Sequence, residues 1–233
     1  MASLDPSLIA HIPLFADFDQ NALTDFLGGA NSSLVREGKH VFSQDEEAHS
    51  FFLLLDGYVR VEQIRPSGDM IIVRYASAGE LLGIAQALGR KTYPANSIAV
   101  VDCVVLGWPS ELWTSIVDRY PSFAAGAGRM IGQRLEEAHK RIAEMATEQV
   151  QQRIANALLR LANQTGKQTD DGILIDFPIS RQDLSDMTGT TLHTVSRTLS
   201  AWEKDGIVRS GRKRIEITSG HQLVLIANGR ATD

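Results

Sequence analysis

With a single cysteine, Cys103, in 233 residues, the chain has no internal disulfide and no four-cysteine iron–sulfur site of its own. It has no run of about eighteen apolar residues, and its start, MASLDPSLIA, lacks the basic and apolar regions of a signal peptide, so a cytoplasmic protein with no membrane attachment is expected. The patterns GxxxxGK[ST], HExxH and CxxC are missing. The glycine pair in GGANSS at 28–33 has no lysine at the place a phosphate loop requires. Without a nucleophile and base, a metal set or a phosphate cradle at usable spacing, an enzyme is not expected. A uniform excess of basic charge is also absent, since the formal net charge is −5.

That deficit is unevenly placed. Residues 1–147 carry 12 basic and 18 acidic side chains, residues 148–233 carry 11 and 10, and residues 180–214 carry seven basic and four acidic. The local field is therefore positive over one short stretch near the C-terminal end. Hydrophobic residues make up 43% of the chain, enough for one large or two modest cores.

The basic stretch begins SRQDLSDMTGTTLHTVSRTLSAWEK, with the punctuation of two short helices around a tight turn. Ser180 and Asp183 have capping-box spacing, Thr188-Gly189 ends the first helix, and Thr190 or Thr191 caps the second. In the second helix Leu192, Val195, Leu199 and Trp202 form one apolar stripe, expected to face inward. His193, Ser196, Arg197 and Ser200 fall on the other face. Such a face suits a DNA major groove, where arginine reads the O6 and N7 edge of guanine, although an ordinary amphipathic helix also shows a solvated polar face. The residues beyond the helix favour DNA. Asp205-Gly206 ends the helix, and IVRSGRKRIEI alternates as a hairpin expected to turn at Ser210-Gly211, with Arg209, Arg212, Lys213 and Arg214 at its tip.

The segment DFPISRQDLSDMTGTTLHTVSRTLSAWEKDGIV, with its TVSR and DGIV elements, resembles the C-terminal winged helix of the Crp/Fnr family of bacterial transcription regulators. The resemblance implies binding to double-stranded DNA as a homodimer on a palindrome, with RNA polymerase as a partner and activation as one outcome. It implies DNA contacts by Arg197, Ser196, His193, Thr191, Arg181 and Ser200, with Arg212 and Lys213 from the wing. The family's ExxSR motif has its glutamate replaced here by His193.

Upstream, Asp5-Pro6 and Asp19 open two short helices, the second with Leu23, Phe26 and Leu27 facing inward and Gly28-Gly29 at its end. From Leu34 to Leu106, short apolar runs (VF at 41, FFLLL at 51, YVRVEQI at 58, MIIVRY at 70, SIAV at 97, VVLGW at 104) separated by turn residues predict an antiparallel barrel or sandwich. Their order resembles the family's β-roll, whose pocket holds a cyclic nucleotide in its best-known members. Asp45 replaces a family glycine there, as a local turn variant. In the nucleotide binders a glutamate holds the ribose and an arginine-serine pair holds the phosphate. The matching positions here are Ile84 and Pro94-Ala95, so a cyclic nucleotide is not expected; Arg90 and Lys91 lie at another register. A nucleotide sensor serving protein contacts alone would not need residues 180–214.

Between the two regions, Pro121 opens a long helix in which Ala124, Gly128, Ile131, Leu135, Ala138, Ile142 and Met145 recur four and three apart, a heptad seam with charged flanks. The expected interface of a parallel dimer is Ile131, Leu135, Ala138, Ile142 and Met145; packing on the chain's own barrel is the alternative. The expected plan is α+β: residues 1–120 an effector-sensing β-roll with N-terminal helices, 121–147 a dimerisation helix, and 148–233 a winged helix-turn-helix domain with a hinge near Ala146 to Glu148. Val150, Ile154, Leu158 and Leu161 form a further helix ended by Gly166, GKQTDDG is expected to be a polar loop, ILIDFPI a strand, and HQLVLIANGRATD a short helix or strand with a polar tail.

The chain also resembles the nitrogen-oxide-responsive NnrR/Dnr branch of the family. That implies control of denitrification genes in response to nitric oxide, through haem with His11 as the candidate ligand. A regulator with no small-molecule effector, or with a different one, fits the same absences.

Overall fold

A computed structural model gives the architecture of residues 4–230, and MAS at the start and ATD at the end lie outside the described residues. The rest falls into two compact units. One is built from residues up to Gly68 with Val73–Glu137, the other from Asp69–Ile72 with residues from Ala138 on. No helix among the described residues is long and apolar enough to cross a membrane.

The first unit begins with α1 (Ser7–Ala10), a 3₁₀ turn at Pro13–Phe15 and α2 (Gln20–Gly28). Asp19 caps α2 by accepting from the Ala22 amide at 2.7 Å, and Leu23, Phe26 and Leu27 are buried as the sequence predicts. Eight strands come next: β1 (Asn31–Val35), β2 (His40–Phe42), β3 (Ser50–Asp56), β4 (Val59–Ile64), β5 (Met70–Ala76), β6 (Leu81–Leu82), β7 (Asn96–Ala99) and β8 (Cys103–Pro109). They form two four-stranded sheets, ordered β1-β8-β3-β6 and β2-β7-β4-β5. The strand expected from Leu34 starts earlier. Asn31, Ser32 and Ser33 pair with Gly107, Leu106 and Val105 of β8, so partner strands override a polar local sequence.

The run FFLLL is apolar on every residue because both faces of β3 are covered. Phe51 and Leu53 join the cluster formed with α1, α2 and Trp108, whereas Leu54 joins Phe42, Val59, Tyr93 and Val105 between the sheets. Asp45, at the former glycine position, adopts φ +66°, so the turn keeps its left-handed backbone without the glycine.

After α3 (Leu112–Arg119) comes α4 (Pro121–Thr147), 27 residues and about 40 Å at 1.5 Å per residue. Phe123 and Ala127 near its start are buried, while Leu135, Ile142 and Met145 are 57%, 66% and 47% exposed. The helix breaks before Gln149, whose amide donates to Gln152 at 2.9 Å to open the next one.

The second unit continues with α5 (Val150–Thr165), β9 (Gly166–Gln168), β10 (Ile173–Ile175), α6 (Arg181–Thr188), α7 (Leu192–Lys204), β11 (Val208–Gly211), β12 (Arg214–Ile217) and α8 (Gly220–Ala227). Ile154, Ala157, Leu158 and Leu161 of α5 are fully buried, and α5 packs against α6 and α8. The polar loop expected at GKQTDDG is partly a strand, since Gly166–Gln168 pairs with Ile173–Ile175 in a sheet ordered β11-β12-β10-β9. Gly166 has extended backbone and not the left-handed cap geometry. A Cβ there would come within 2.3 Å of the Ala162 carbonyl oxygen, so close approach is what requires the glycine.

Candidate nucleic-acid interface

Ser180 and Asp183 close the expected capping box of α6. The Asp183 amide donates to Ser180 Oγ at 3.1 Å, and the Ser180 amide donates to Asp183 Oδ2 at 2.7 Å. Gly189 ends α6 at φ +59°, and the Thr194 amide donates to Thr191 Oγ1 at 3.2 Å, so Thr191 is the cap of α7. Thr190 instead accepts from Ser185 Oγ through its carbonyl. These bonds fix the angle at which α7 leaves the turn, so its outer face is held by backbone geometry.

Val195 and Leu199 are fully buried on that helix, and Trp202 is 4% exposed. Leu192 departs from the predicted stripe at 45% exposure, because it is the first residue of the helix and projects beyond the core beneath it; Thr198 is buried in the stripe instead. The outer face presents His193 and Arg197 exposed, with Thr191 exposed at the cap and Ser196 and Ser200 half-buried.

The hairpin turns two residues later than Ser210-Gly211. Gly211 pairs with Arg214 and Ser210 with Ile215, so Arg212 and Lys213 form the turn, Lys213 with φ +55°. The register puts Val208, Ile215 and Ile217 in the core, and burying them outweighs the turn preference of Ser-Gly. Arg212, Lys213 and Arg214 are exposed at the tip. Arg209 is not among them. It pairs across the strands with Glu216 at 3.1 Å and with Asp171 at 2.9 Å, bonds that raise its pKa above the usual arginine value. Glu216 is 3% exposed and also accepts from Thr169 Oγ1, a buried carboxylate with its partners supplied.

Arg181, expected to face DNA, lies at the start of α6 with its Nη2 donating to Ser210 Oγ at 2.9 Å and lying 3.5 Å from Glu203 Oε2. Nothing in the motif pattern singles out Glu203.

In the first unit, Ile84 is 5% and Ala95 6% exposed, and the Pro94 carbonyl accepts from Gln63 Nε2 at 2.9 Å. Glu80 Oε2 bonds Arg74 Nη1 at 2.5 Å and lies 3.4 Å from Arg134 Nη2, which also donates to the Leu81 carbonyl at 2.6 Å. Burial first, and then Arg74, bring the pKa of Arg134 down to about 10, so it stays a cation at neutral pH. His11 is exposed at the C-terminal end of α1. The groove beside it, lined by Ile12, Leu14, Gly79, Gly126, Met130 and Gln133, holds about 230 Å³, below the roughly 300–1,000 Å³ of ligand pockets. His11 itself is not among the residues that line this groove.

A β-roll joined by a long helix to a winged helix-turn-helix with a cationic tip defines a DNA-binding transcription regulator. A model of the Crp-like helix-turn-helix domain matches residues 152–226, and one of the cyclic nucleotide-binding domain matches residues 34–120. The chain is 28% identical over 219 residues to the cyclic AMP receptor protein of Thermus thermophilus, covering 94% of this chain and 98% of that protein. It is 26% identical over 171 residues to the nitrogen fixation regulation protein FixK of Bradyrhizobium diazoefficiens, covering 73% and 71%. The solved structure of FixK2 from Bradyrhizobium japonicum superposes with a TM-score of 0.74 over 88% of this chain and 98% of that one; at 22% identity the likeness is one of fold. The chain thus carries a Crp-like helix-turn-helix domain behind a cyclic nucleotide-binding domain, the plan of a Crp/Fnr-type DNA-binding transcription regulator.

Proposed function

We propose that the protein binds a palindromic DNA site as a homodimer, reading each half-site with His193, Ser196 and Arg197 in the major groove. Thr191, Ser200, Arg212 and Lys213 contact the flanking backbone. The observation that carries this reading is the exposed His193/Arg197 face of a helix whose opposite side is locked by Val195, Leu199 and Trp202. Arg197 pairs with guanine. His193 does not supply the carboxylate acceptor that a cytosine amino group prefers, so that position is relaxed or altered. The α4 stripe supplies the two-fold axis through its exposed Leu135, Ala138, Ile142 and Met145, with Ile131 partly buried against the core of its own chain, and the half-sites lie about 34 Å apart. RNA polymerase is the partner at promoters, as elsewhere in the family. The test is selection of duplexes from a randomised pool by the purified protein. A two-fold symmetric consensus with an invariant guanine supports the reading, and recovery of no consensus overturns it.

The regulated genes are those of denitrification, and the signal is nitric oxide or a related nitrogen oxide. This finer reading rests on the resemblance to the NnrR/Dnr branch and on Ile84 and Pro94-Ala95 standing where nucleotide contacts would be. Haem bound at His11 is no step in it. Titration with haem, followed by the Soret band with and without nitric oxide and repeated with His11→Ala, tests that exclusion. A saturable band lost in His11→Ala would put haem back into the signal path.

A further inference from the structure

Two charges in the winged helix stand at the wrong ends of their helices. Arg181 is the first residue of α6, where the positive end of the helix dipole disfavours a cation, and Glu203 lies in the last turn of α7, where the negative end disfavours a carboxylate. Glu203 is also an acid beside a face argued to meet phosphates. The helix dipoles oppose both members of the pair, and attraction to DNA opposes Glu203 as well.

The geometry supplies a reason. Glu203 Oε1 accepts from the Ser210 amide at 2.8 Å and from Ser210 Oγ at 2.6 Å. Ser210 Oγ in turn accepts from Arg181 Nη2, which also lies against the second Glu203 oxygen. Ser210 sits on β11, the edge strand of its sheet, so Glu203 occupies an edge amide that β12 leaves unpaired. Three elements thus meet at one serine: the start of α6, the end of α7 and the strand that carries the tip at Arg212–Arg214.

We propose that Arg181 and Glu203 are positioning residues that lock the wing to the recognition helix, and that Arg181 acts through Ser210 and not through a phosphate. The proposal rests on the DNA-binding reading above. The lock fixes where the tip cations stand relative to Arg197, so both anchor the same half-site at once.

The test uses the full-length protein, a palindromic duplex selected by the wild type, and a random duplex of equal length, titrated over a range of salt. A phosphate contact contributes about 0.9 to the slope of log affinity against log salt. Arg212→Ala is expected to lower the slope by about one, whereas Arg181→Ala weakens binding about three- to tenfold with the slope unchanged. Glu203→Ala has the sharper sign. Removing an acid that only repels DNA tightens binding, whereas removing the lock weakens it. Glu203→Gln, which keeps one acceptor, is expected to lie between, and the Arg181→Ala/Glu203→Ala double variant is expected to lose no more than the worse single one. Hydrogen exchange at the Ser210 amide, expected to quicken in Glu203→Ala without a change in the melting of the whole protein, reads the lock without DNA. A lowered slope in Arg181→Ala, tighter binding by Glu203→Ala, or unchanged exchange at Ser210 overturns the proposal while leaving the DNA reading intact. If Arg197→Ala binds the selected duplex as well as the wild type, the DNA reading falls and this proposal falls with it.

Discussion

Gly189 lies against Met145. A Cβ placed on the glycine would stand 2.8 Å from Met145 Cε and 3.5 Å from Sδ, so the turn between the two DNA-binding helices is seated on the last turns of α4. The neighbouring carbonyls reinforce the seat. Met187 O accepts from Arg141 Nη2 at 3.1 Å and Thr188 O from Arg153 Nε at 3.1 Å, so arginines of α4 and α5 satisfy the carbonyls that α6 leaves open. Glu144 pairs with Arg160 at 2.5 Å on the same side. The 47% exposed Met145 therefore touches the helix-turn-helix with one part of its side chain and keeps another for the α4 stripe.

The first prediction comes from that seat. Gly189→Ala forces a side chain into left-handed backbone, at about 1–2 kcal/mol, and presses it on Met145. Denaturant unfolding is expected to show that loss or slightly more, and Met145→Ala in the same chain is expected to recover the steric part but not the backbone part. Equal stability of Gly189→Ala and wild type would rule out the contact.

The second concerns the α4 stripe. Leu135 is 57% exposed on a face whose heptad spacing matches a partner helix. Leu135→Asp would set two carboxylates face to face in a dimer and is expected to give monomers that fail to bind the palindrome. Sedimentation velocity decides it, since a variant that stays dimeric puts the interface elsewhere.

Residues whose partners are near in sequence were legible, and residues defined by distant partners were not. Ser180, Asp183, Gly189 and Thr191 act over three or four residues, so their caps could be read directly. The FFLLL and VVLGW runs announce strands because both faces are covered. By contrast, Asn31–Ser33 and Gly166–Gln168 are strands only because β8 and β10 lie beside them. The hairpin register depends on Val208 facing Ile217, and Arg209 is taken from the tip by Asp171, 38 residues away. The Arg181–Glu203 contact was not legible either: Arg181 fits a DNA contact by its place in the motif, and its partner lies 22 residues away on another helix.

The third prediction concerns base reading. Arg197→Ala is expected to cost about 1–3 kcal/mol on the selected duplex and less on random DNA. Equal losses would make Arg197 a phosphate contact. Leu192, exposed at the start of α7 and not the inward residue its spacing predicts, offers an apolar surface suited to a thymine methyl group. Leu192→Ala is therefore expected to weaken preference for thymine at one position per half-site, measured by repeating the selection, while the guanine preference persists.

The last prediction is that cyclic AMP is not the effector, even though residues 34–120 match the cyclic nucleotide-binding domain. That match describes a scaffold, and affinity comes from the polar groups inside it. Where the ribose carboxylate would stand, Ile84 is packed in an apolar cluster; where the arginine-serine pair would stand, Pro94 accepts a bond through its carbonyl and Ala95 is buried. Each charge-assisted hydrogen bond contributes about 1.5–3 kcal/mol, so two lost anchors remove roughly 3–6 kcal/mol. That is on the order of a hundred- to ten-thousand-fold in affinity. Nor do Arg74 and Arg134 compensate, because both are engaged by Glu80, and an incoming phosphate would have to displace that carboxylate from two guanidiniums. Calorimetry with cyclic AMP at micromolar concentration is expected to give no saturable heat and no gain in DNA affinity. Micromolar binding coupled to tighter DNA binding would mean that other residues hold the phosphate, and Glu80→Gln, which loosens both arginines, would then identify whether they are the ones.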